Sequence, residues 1–558
     1  MLSVYFEVRR ARGHSYLYIV ESVHTPRGPR RAWQVYVGSP ESLHHRLTHR
    51  SPVALRTFPF GTTAALLRAA SSAGLLEALE RHVPRRHRSG LSAAELLFLQ
   101  VLGRVERPLS REQMAEWFPR SALPLLWNTR IRPSPQVLRR SLLRLLVTPQ
   151  RDGSGEPVLS RRVVRQVEED VFRNLLAKGI PPKYLLFDTT NFYTYHPERR
   201  FSRKGHSKER RADKNLTGLG LVTLGAIPVL SETCAGNEAD PQVFARVFEA
   251  LLVRLERLEV NTEAMALVFD RGVNSTENFD EVLGAMHVIA ALNRHDARAL
   301  LTTPLSEFHE VMKDGEGKPI LGFPTHWAGF GRPWRALVVH RAATAQHQLV
   351  GWQRTRAKVL AQVEQWRTSL GKGAPGRSQK ALLRKLVELI PRDYHGVFDY
   401  GVEKKDGKFW PYCSVPEEAE ARLRASFGTT TLITDLPTEK LSDAELVKAY
   451  VARWEIEEDF KWLKDRFILS VKPVWVWNDA SVAGHVFLCV MGLMLLRYLQ
   501  WEVRDLHLSM KELLEELEQI RIGVIRTAEG RPQMVLEQMT RRQGRISESL
   551  HLASMVPN

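Results

Sequence analysis

The chain has 558 residues, 44% of them hydrophobic, which is enough for several packed cores and, as a prior, roughly three or four domains. Its formal net charge of +18 calls for a polyanionic partner, and DNA, ribosomal RNA or an anionic membrane surface would each satisfy that. Three widely spaced cysteines, Cys234, Cys413 and Cys489, form neither a disulfide framework nor a zinc spacing, which excludes those two classes of fold and fits a reducing cytoplasm.

Residues 1–50 read as a small β unit. Tyr16–Val20 and Trp33–Val37 are strand-like runs around the turn-rich Thr25-Pro26-Arg27-Gly28-Pro29. The N-terminus has no apolar core of the kind a secretion signal needs. Arg9, Arg10, Arg12, Arg30 and Arg31 are either a solvated charged sheet face or contacts to a nucleic-acid backbone. Residues 51–178 read as a helical DNA-binding region. Ser92 with Glu95 and Ser110 with Gln113 are capping boxes, and the basic cluster Arg81 to Arg88 fits a helix-turn-helix reader of DNA.

From residue 179 the pattern becomes α/β. Lys183 to Asp188 is a buried strand ending in an acid. Leu216–Leu224 and Ile227–Thr233 are two more strands, separated by Gly225-Ala226. Asp240-Pro241 opens a helix with Asp240 as N-cap, and Val243, Phe244, Val247, Phe248, Leu251 and Leu252 form its apolar stripe. Ala264 to Asp270 is a second apolar strand ending in an acid. A helix over about Ser275–Gly284 and a strand over His287–Leu292 follow. This order predicts a mixed sheet with flanking helices over 179–300. Residues 301–428 interrupt it as an inserted α+β subdomain. It contains a Gly/Pro-rich stretch (Lys313–Pro333), a strand Trp334–His340, a long helix Thr344–Leu370, a basic loop Gly371–Arg377, and two strands around Lys405-Asp406-Gly407. Residues 429–500 resume the core with a strand over Thr429–Thr434, and 501–558 read as a C-terminal helical tail. The apolar run Val482–Leu496 is too short for a bilayer crossing and reads as a buried helix.

Ser442 and Glu445 form a capping box that predicts one helix of some 23 residues. Tyr450, Arg453, Glu457 and Lys464 fall within roughly 60° of one another on it, with Lys461 on the same stripe. Ala449, Ala452, Ile456, Phe460, Leu463 and Phe467 form an adjacent apolar stripe. Taken alone, Glu457 is satisfied by a salt bridge to Arg453 or Lys461, and Asp188 and Asp270 by capping the next turn. Two acids on neighbouring buried strands, with a third on a helix flanked by Arg and Lys, point instead to a site.

That combination resembles the DDE transposases of bacterial insertion sequences, in the large group that includes the hairpin-forming transposons numbered five and ten. The group's helix signature is Tyr, two residues, Arg, three residues, Glu, six residues, Lys. Tyr450, Arg453, Glu457 and Lys464 match every letter and every gap. Leu186-Phe187-Asp188-Thr189-Thr190 and Val268-Phe269-Asp270-Arg271-Gly272 resemble the first and second catalytic segments. Phe201-Ser202-Arg203-Lys204-Gly205-His206-Ser207-Lys208 resembles the group's basic turn. Asp188 and Asp270 are 82 residues apart and Asp270 and Glu457 are 187 apart, the longer gap resembling the group's insertion.

The resemblance implies an RNase H-like core. It implies Asp188, Asp270 and Glu457 as catalytic metal ligands for two Mg2+ ions, with Mn2+ able to substitute, since hard cations take carboxylate oxygen. It implies DNA contacts from Tyr450, Arg453, Lys461, Lys464, Arg203, Lys204 and Lys208. The implied partners are double-stranded DNA, both terminal inverted repeats and target, and a second copy of the chain when two ends are bridged. The implied location is the cytoplasm, on the nucleoid, with no membrane involved. Trp327, Trp334 and Trp410 are candidates for stacking on a flipped base. Glu238, Asp240 and Asp213 are rival acids, Asp240 read as a cap and Asp213 as a brace of the basic turn. The competing functions are an RNase H-like nuclease or resolvase, and a catalytically dead, transposase-derived DNA-binding protein.

Overall fold

The computed structural model describes all residues except 1, 26–27, 49–53, 84–89, 152–156, 212, 373–377, 466–467, 473–475, 477, 527–531 and 558. Most of the basic cluster Arg81–Arg88, most of the basic loop at 371–377 and Phe467 therefore lie outside the described residues. The chain forms two compact units: Met1–Arg68 with Glu116–Arg132 and Gln500–Asn558, and Ala69–Ala115 with Pro133–Leu499.

The smaller unit opens with an antiparallel three-stranded sheet, Leu2–Ala11, His14–Thr25 and Gly28–Gly38, followed by the helix Pro40–Thr48. On this sheet Arg9 and Arg31 both pair with Glu7, and Arg9 lies over the Tyr18 ring. These two arginines therefore belong to a self-satisfied charged face. The C-terminal segment is not wholly helical. Arg521–Arg526 pairs with both Gln533–Leu536 and Ala54–Pro59 in a second antiparallel sheet. Alternation is weak in these short strands, and their partners lie hundreds of residues apart, so local periodicity did not reveal them.

The larger unit is built on a nine-stranded mixed sheet. In chain order its strands are β1 (Tyr184–Thr194), β2 (Asn215–Leu224), β3 (Ile227–Ala235), β4 (Ala266–Phe269), β5 (His287–Ala291), β6 (His309–Lys313), β7 (Pro319–Gly329), β8 (Arg332–His340) and β9 (Thr429–Thr434). Their spatial order is β6-β7-β8-β9-β5-β4-β1-β2-β3. β4 runs parallel to both β1 and β5, and the remaining neighbours are antiparallel. Leu185–Phe187, Ala266–Phe269 and Val288–Ala291 are buried as continuous runs, as central strands covered on both faces must be.

β6, β7 and β8 extend this sheet, so the interruption proper begins after His340. It holds the helix Ala342–Gly371 and the hairpin Asp399–Lys405/Lys408–Ser414. Trp352, Val359, Ile390, Phe398, Leu423 and Phe427 form a core of its own. The hairpin closes on Asp406 and Gly407, both at positive φ (52° and 73°), the backbone that a two-residue turn of this kind requires.

Four helices position the site: α1 (Asp240–Arg257), α2 (Asp443–Val451), α3 (Arg453–Lys464) and α4 (Asp479–Glu502). The expected 23-residue helix is thus two, with a break at Ala452 that no Gly or Pro announces. The Ser442–Glu445 capping box starts α2 as read, and those at Ser92–Glu95 and Ser110–Gln113 are likewise formed. α4 is long and apolar enough to cross a membrane, yet its apolar window is wholly buried inside the protein.

Candidate functional site

The β4–β1 register pairs Ala266 with Tyr184, Leu267 with Leu185 and Val268 with Leu186. Continued by two places, it sets Asp270 level with Asp188 and on the same side of the sheet, since side chains alternate along a strand. Asp188 does not end its strand as read from the sequence. β1 runs on to Thr194, and Asp188 pairs with Leu221 of β2. Asp270 stands one residue past β4, where the chain turns into Arg271–Val273. A carboxylate at a strand's C-terminal end is held by a rigid scaffold yet faces outward, which suits a reactive group.

α3 brings the third acid. Arg453 opens the helix, and its side chain is only 8% exposed. It bonds Glu457, one turn on, at 2.8 Å, donates to Asp188 at 3.3 Å, and lies 3.9 Å from Asp270. The Tyr450 hydroxyl donates to Asp270 at 3.0 Å, and the Arg453 guanidinium also faces the Tyr450 ring at 5.4 Å. Asp188, Asp270 and Glu457 therefore converge on one buried cation.

Burial would drag the Arg453 guanidinium down, but Tyr450, Asp270, Asp188 and Glu457 outweigh it and hold it above the ordinary arginine value. Burial pushes the Tyr450 hydroxyl up, and the Asp270 carboxylate adds to this, so the phenol keeps its proton and donates it. Burial pushes the Asp188 carboxyl up to about 6, against the pull of Arg453 and Lys208. Lys464, half-buried near the Phe192 ring, is lowered by burial. Lys461 lies exposed on the same helix.

The basic turn divides. Lys208 reaches the site: its Nζ donates to the Thr189 hydroxyl at 2.7 Å and carbonyl at 2.9 Å, and lies 3.5 Å from Asp240. Asn191 pins this turn to β1 by accepting from the Lys208 amide and donating to the His206 carbonyl. Gly205 is needed there, because a Cβ would sit 2.8 Å from the Gly236 carbonyl oxygen. Arg203 instead pairs with Glu198, and Lys204 bonds the Asp213 carbonyl. Neither is joined to the acids. Asp213 braces the turn through Arg211 and Lys214.

Asp240 is not an N-cap. Ala239 occupies that position, and the Asp240 carboxylate instead accepts from the Thr189 hydroxyl at 2.6 Å. It is a fourth acid, tied to the residue that follows Asp188. Glu238 is engaged by Arg246. Trp334 is buried at 1% exposure in the core against Phe279, which removes it from the stacking candidates. Trp327 bonds the Asp296 carbonyl, and Trp410 the Lys405 carbonyl. A side chain not singled out in the sequence, Trp454, is 49% exposed beneath the Arg341 guanidinium. With Asp270 and Glu457 it lines a cleft of about 320 Å³. Its only sequence signal is its place directly after Arg453.

The acids' donor set, all carboxylate oxygen, is the chemistry that hard divalent cations take. The guanidinium of Arg453 marks a point where positive charge is already stabilised by three carboxylates, and its Nε is buried without a hydrogen-bond partner. In this arrangement, among the described residues, no group of three His, Cys, Asp or Glu side chains is itself set as a metal site.

A mixed α/β protein with acids from two adjacent parallel strands and one helix, gathered on a buried arginine, is the class that the fold and site define. Residues 181–472, more than half of the chain, match the family described as Transposase DDE domain, and the chain belongs to that family. A solved structure of the piggyBac transposase synaptic complex with hairpin DNA aligns over 88% of this chain and 85% of that one, at 8% identity and a TM-score of 0.36. A likeness at that level leaves the family match to carry the assignment. No curated protein matches the chain.

Proposed function

We propose that this protein is the transposase of a bacterial insertion sequence, of the group bearing the Tyr-Arg-Glu-Lys helix signature. It binds the element's terminal inverted repeats, cuts there and joins the ends to target DNA. The observation that carries this reading is the convergence of Asp188, Asp270 and Glu457 on Arg453 within a transposase DDE domain. The strand order β3-β2-β1-β4-β5, with β1, β4 and β5 parallel, supports an RNase H-like core.

In this reading Asp188, Asp270 and Glu457 would hold two Mg2+ ions, or Mn2+ in their place. Divalent ions so bound supply a nucleophile at neutral pH and neutralise charge on the leaving oxygen. The chain's own side chains do the rest. Tyr450, fixed by Asp270, offers its ring edge and hydroxyl to a strand end. Arg453, Lys461, Lys464 and Lys208 present positive charge to backbone phosphates, and Arg203 and Lys204 extend that surface along the basic turn. The helical region before residue 178 grips the DNA, two copies bridge two ends, and the work takes place on the nucleoid in the cytoplasm.

The test is incubation of the full chain with Mg2+ and DNA carrying the element's own ends. The parent protein yields cuts with 3′-OH ends. Asp188→Asn, Asp270→Asn and Glu457→Gln each lower the rate by on the order of 10³-fold or more, as expected for groups acting as one unit. Unchanged cutting by folded variants refutes the assignment.

A further inference from the structure

The larger unit holds a second charged cleft, built from other residues. It encloses about 790 Å³ between the helices Ala93–Val105, Arg111–Trp117 and Pro135–Leu143 and the start of α4. Arg104 and Arg111 lie in its wall, with Arg139 beside them. Arg104 is 3% and Arg111 9% exposed.

A buried guanidinium without a carboxylate is costly, because its lost hydration is not replaced. Here two stand together. Arg104 donates from Nη1 to the Leu109 carbonyl at 3.2 Å, while its Nε and Nη2 are buried with no hydrogen-bond partner. Arg111 donates from Nε to the Gln100 amide oxygen at 3.0 Å. The nitrogen of that amide, with two hydrogens, lies within bonding distance of the Leu96 and Leu138 carbonyls and the Ser141 hydroxyl, so the amide is held in place and aims Arg111. Glu112, the one acid among the described residues that line the cleft, is paired with Arg139. His485 is kept neutral by burial, and the Cys489 thiol facing Arg104 is kept protonated by it. Among the described residues neither arginine bonds a carboxylate, and the attraction of Glu112 for Arg111 is smaller than the opposing effects of burial and of its like-charged neighbours. Burial, then the like charges of Arg104 and Arg139, push Arg111 down to about 10. Guanidinium forks match the oxygens of phosphate in pairs, which a compact ammonium does not.

We propose that this cleft is a phosphate-binding site, taking the oxygens of a phosphate group through Arg104 and Arg111 with Arg139 at its mouth. The source is either a phosphodiester of the DNA backbone or a free phosphate. The inference stands apart from the carboxylate site and survives if that site proves inert.

Thermal unfolding of the full chain in rising inorganic phosphate, at constant ionic strength set with sodium chloride, tests it. The expected result is a saturating rise in Tm that is lost in Arg104→Met and in Arg111→Met. Each variant's Tm without phosphate is no lower than the parent's, because an unpaired buried charge has gone. Should either variant fail to fold, Arg139→Gln at the mouth raises the half-saturating phosphate concentration about tenfold. Fluorescence anisotropy with a short duplex at fixed salt identifies the source. Tenfold weaker binding by Arg111→Met assigns the backbone phosphate, and unchanged binding with the phosphate shift lost assigns a free phosphate. A parent Tm no more responsive to phosphate than to chloride, or variants that keep the shift, overturns the proposal.

Discussion

Asp188 is the acid whose surroundings decide how the site titrates. Burial raises its carboxyl to about 6 from an ordinary 3.8, although Arg453 and Lys208 oppose the shift. An acid with a raised folded-state value binds its proton more tightly folded than unfolded. It therefore adds stability at low pH and loses it as pH climbs from about 4 to 6. A divalent ion bound there, as proposed, would have to displace that proton. Mn2+ affinity, followed by isothermal titration, is expected to be level above about pH 7 and to fall roughly tenfold per unit below about pH 6. Asp188→Asn should bind weakly at every pH and lose the inflection. An unaltered profile in that variant would place the titrating group elsewhere.

The three acids were legible because each sits in a short pattern: an apolar run followed directly by Asp, or a helix with fixed Tyr, Arg, Glu and Lys spacing. What was not legible is the hub. Nothing local says that Arg453 reaches Asp188, 265 residues away, as well as Glu457, four away. Asp240 misled for the same reason. Asp before Pro at a helix start is the pattern of a cap, but its partner Thr189 arrives from β1, fifty-one residues earlier.

At the scale of elements, the orientation of α3 depends on a buried ion pair. Asp459, fully buried on its inner face, pairs with Arg497 of α4 at 2.6 Å, and burial pushes the carboxyl up to about 7. Arg497 also reaches the partly exposed Glu458. Asp459→Ala strips the buried arginine of its nearest carboxylate, although it still reaches Glu458 and the Glu455 carbonyl, and this is expected to cost about 3 kcal/mol in urea unfolding. The double variant Asp459→Leu with Arg497→Leu should recover much of that loss, because neither charge is then stranded. A double variant as damaged as the single would show that packing, not charge, sets the cost. Sequence periodicity found the apolar stripe of α3 and the apolar run of α4 but not this pair, since an Asp directly after Glu457-Glu458 reads as surface. It also missed the break at Ala452, where the backbone stays near helical values, φ −55° and ψ −23°. The strands Arg521–Arg526 and Ala54–Pro59 pair across the whole chain, a contact that no window of sequence contains.

For the whole molecule, the charge of +18 and the basic groups beside the acids make DNA affinity an ionic quantity. A chain making six to ten phosphate contacts is expected to lose about 10³- to 10⁵-fold in affinity between 50 and 200 mM salt. A flat salt response in filter binding would remove the backbone from the account. The more direct question is whether the acids share metal. Electron paramagnetic resonance of the full chain titrated with Mn2+ in the presence of end DNA counts bound ions without requiring turnover. Two ions per chain are expected, with loss of tight binding in each of Asp188→Asn, Asp270→Asn and Glu457→Gln. Equal Mn2+ binding by the parent and all three variants would contradict this.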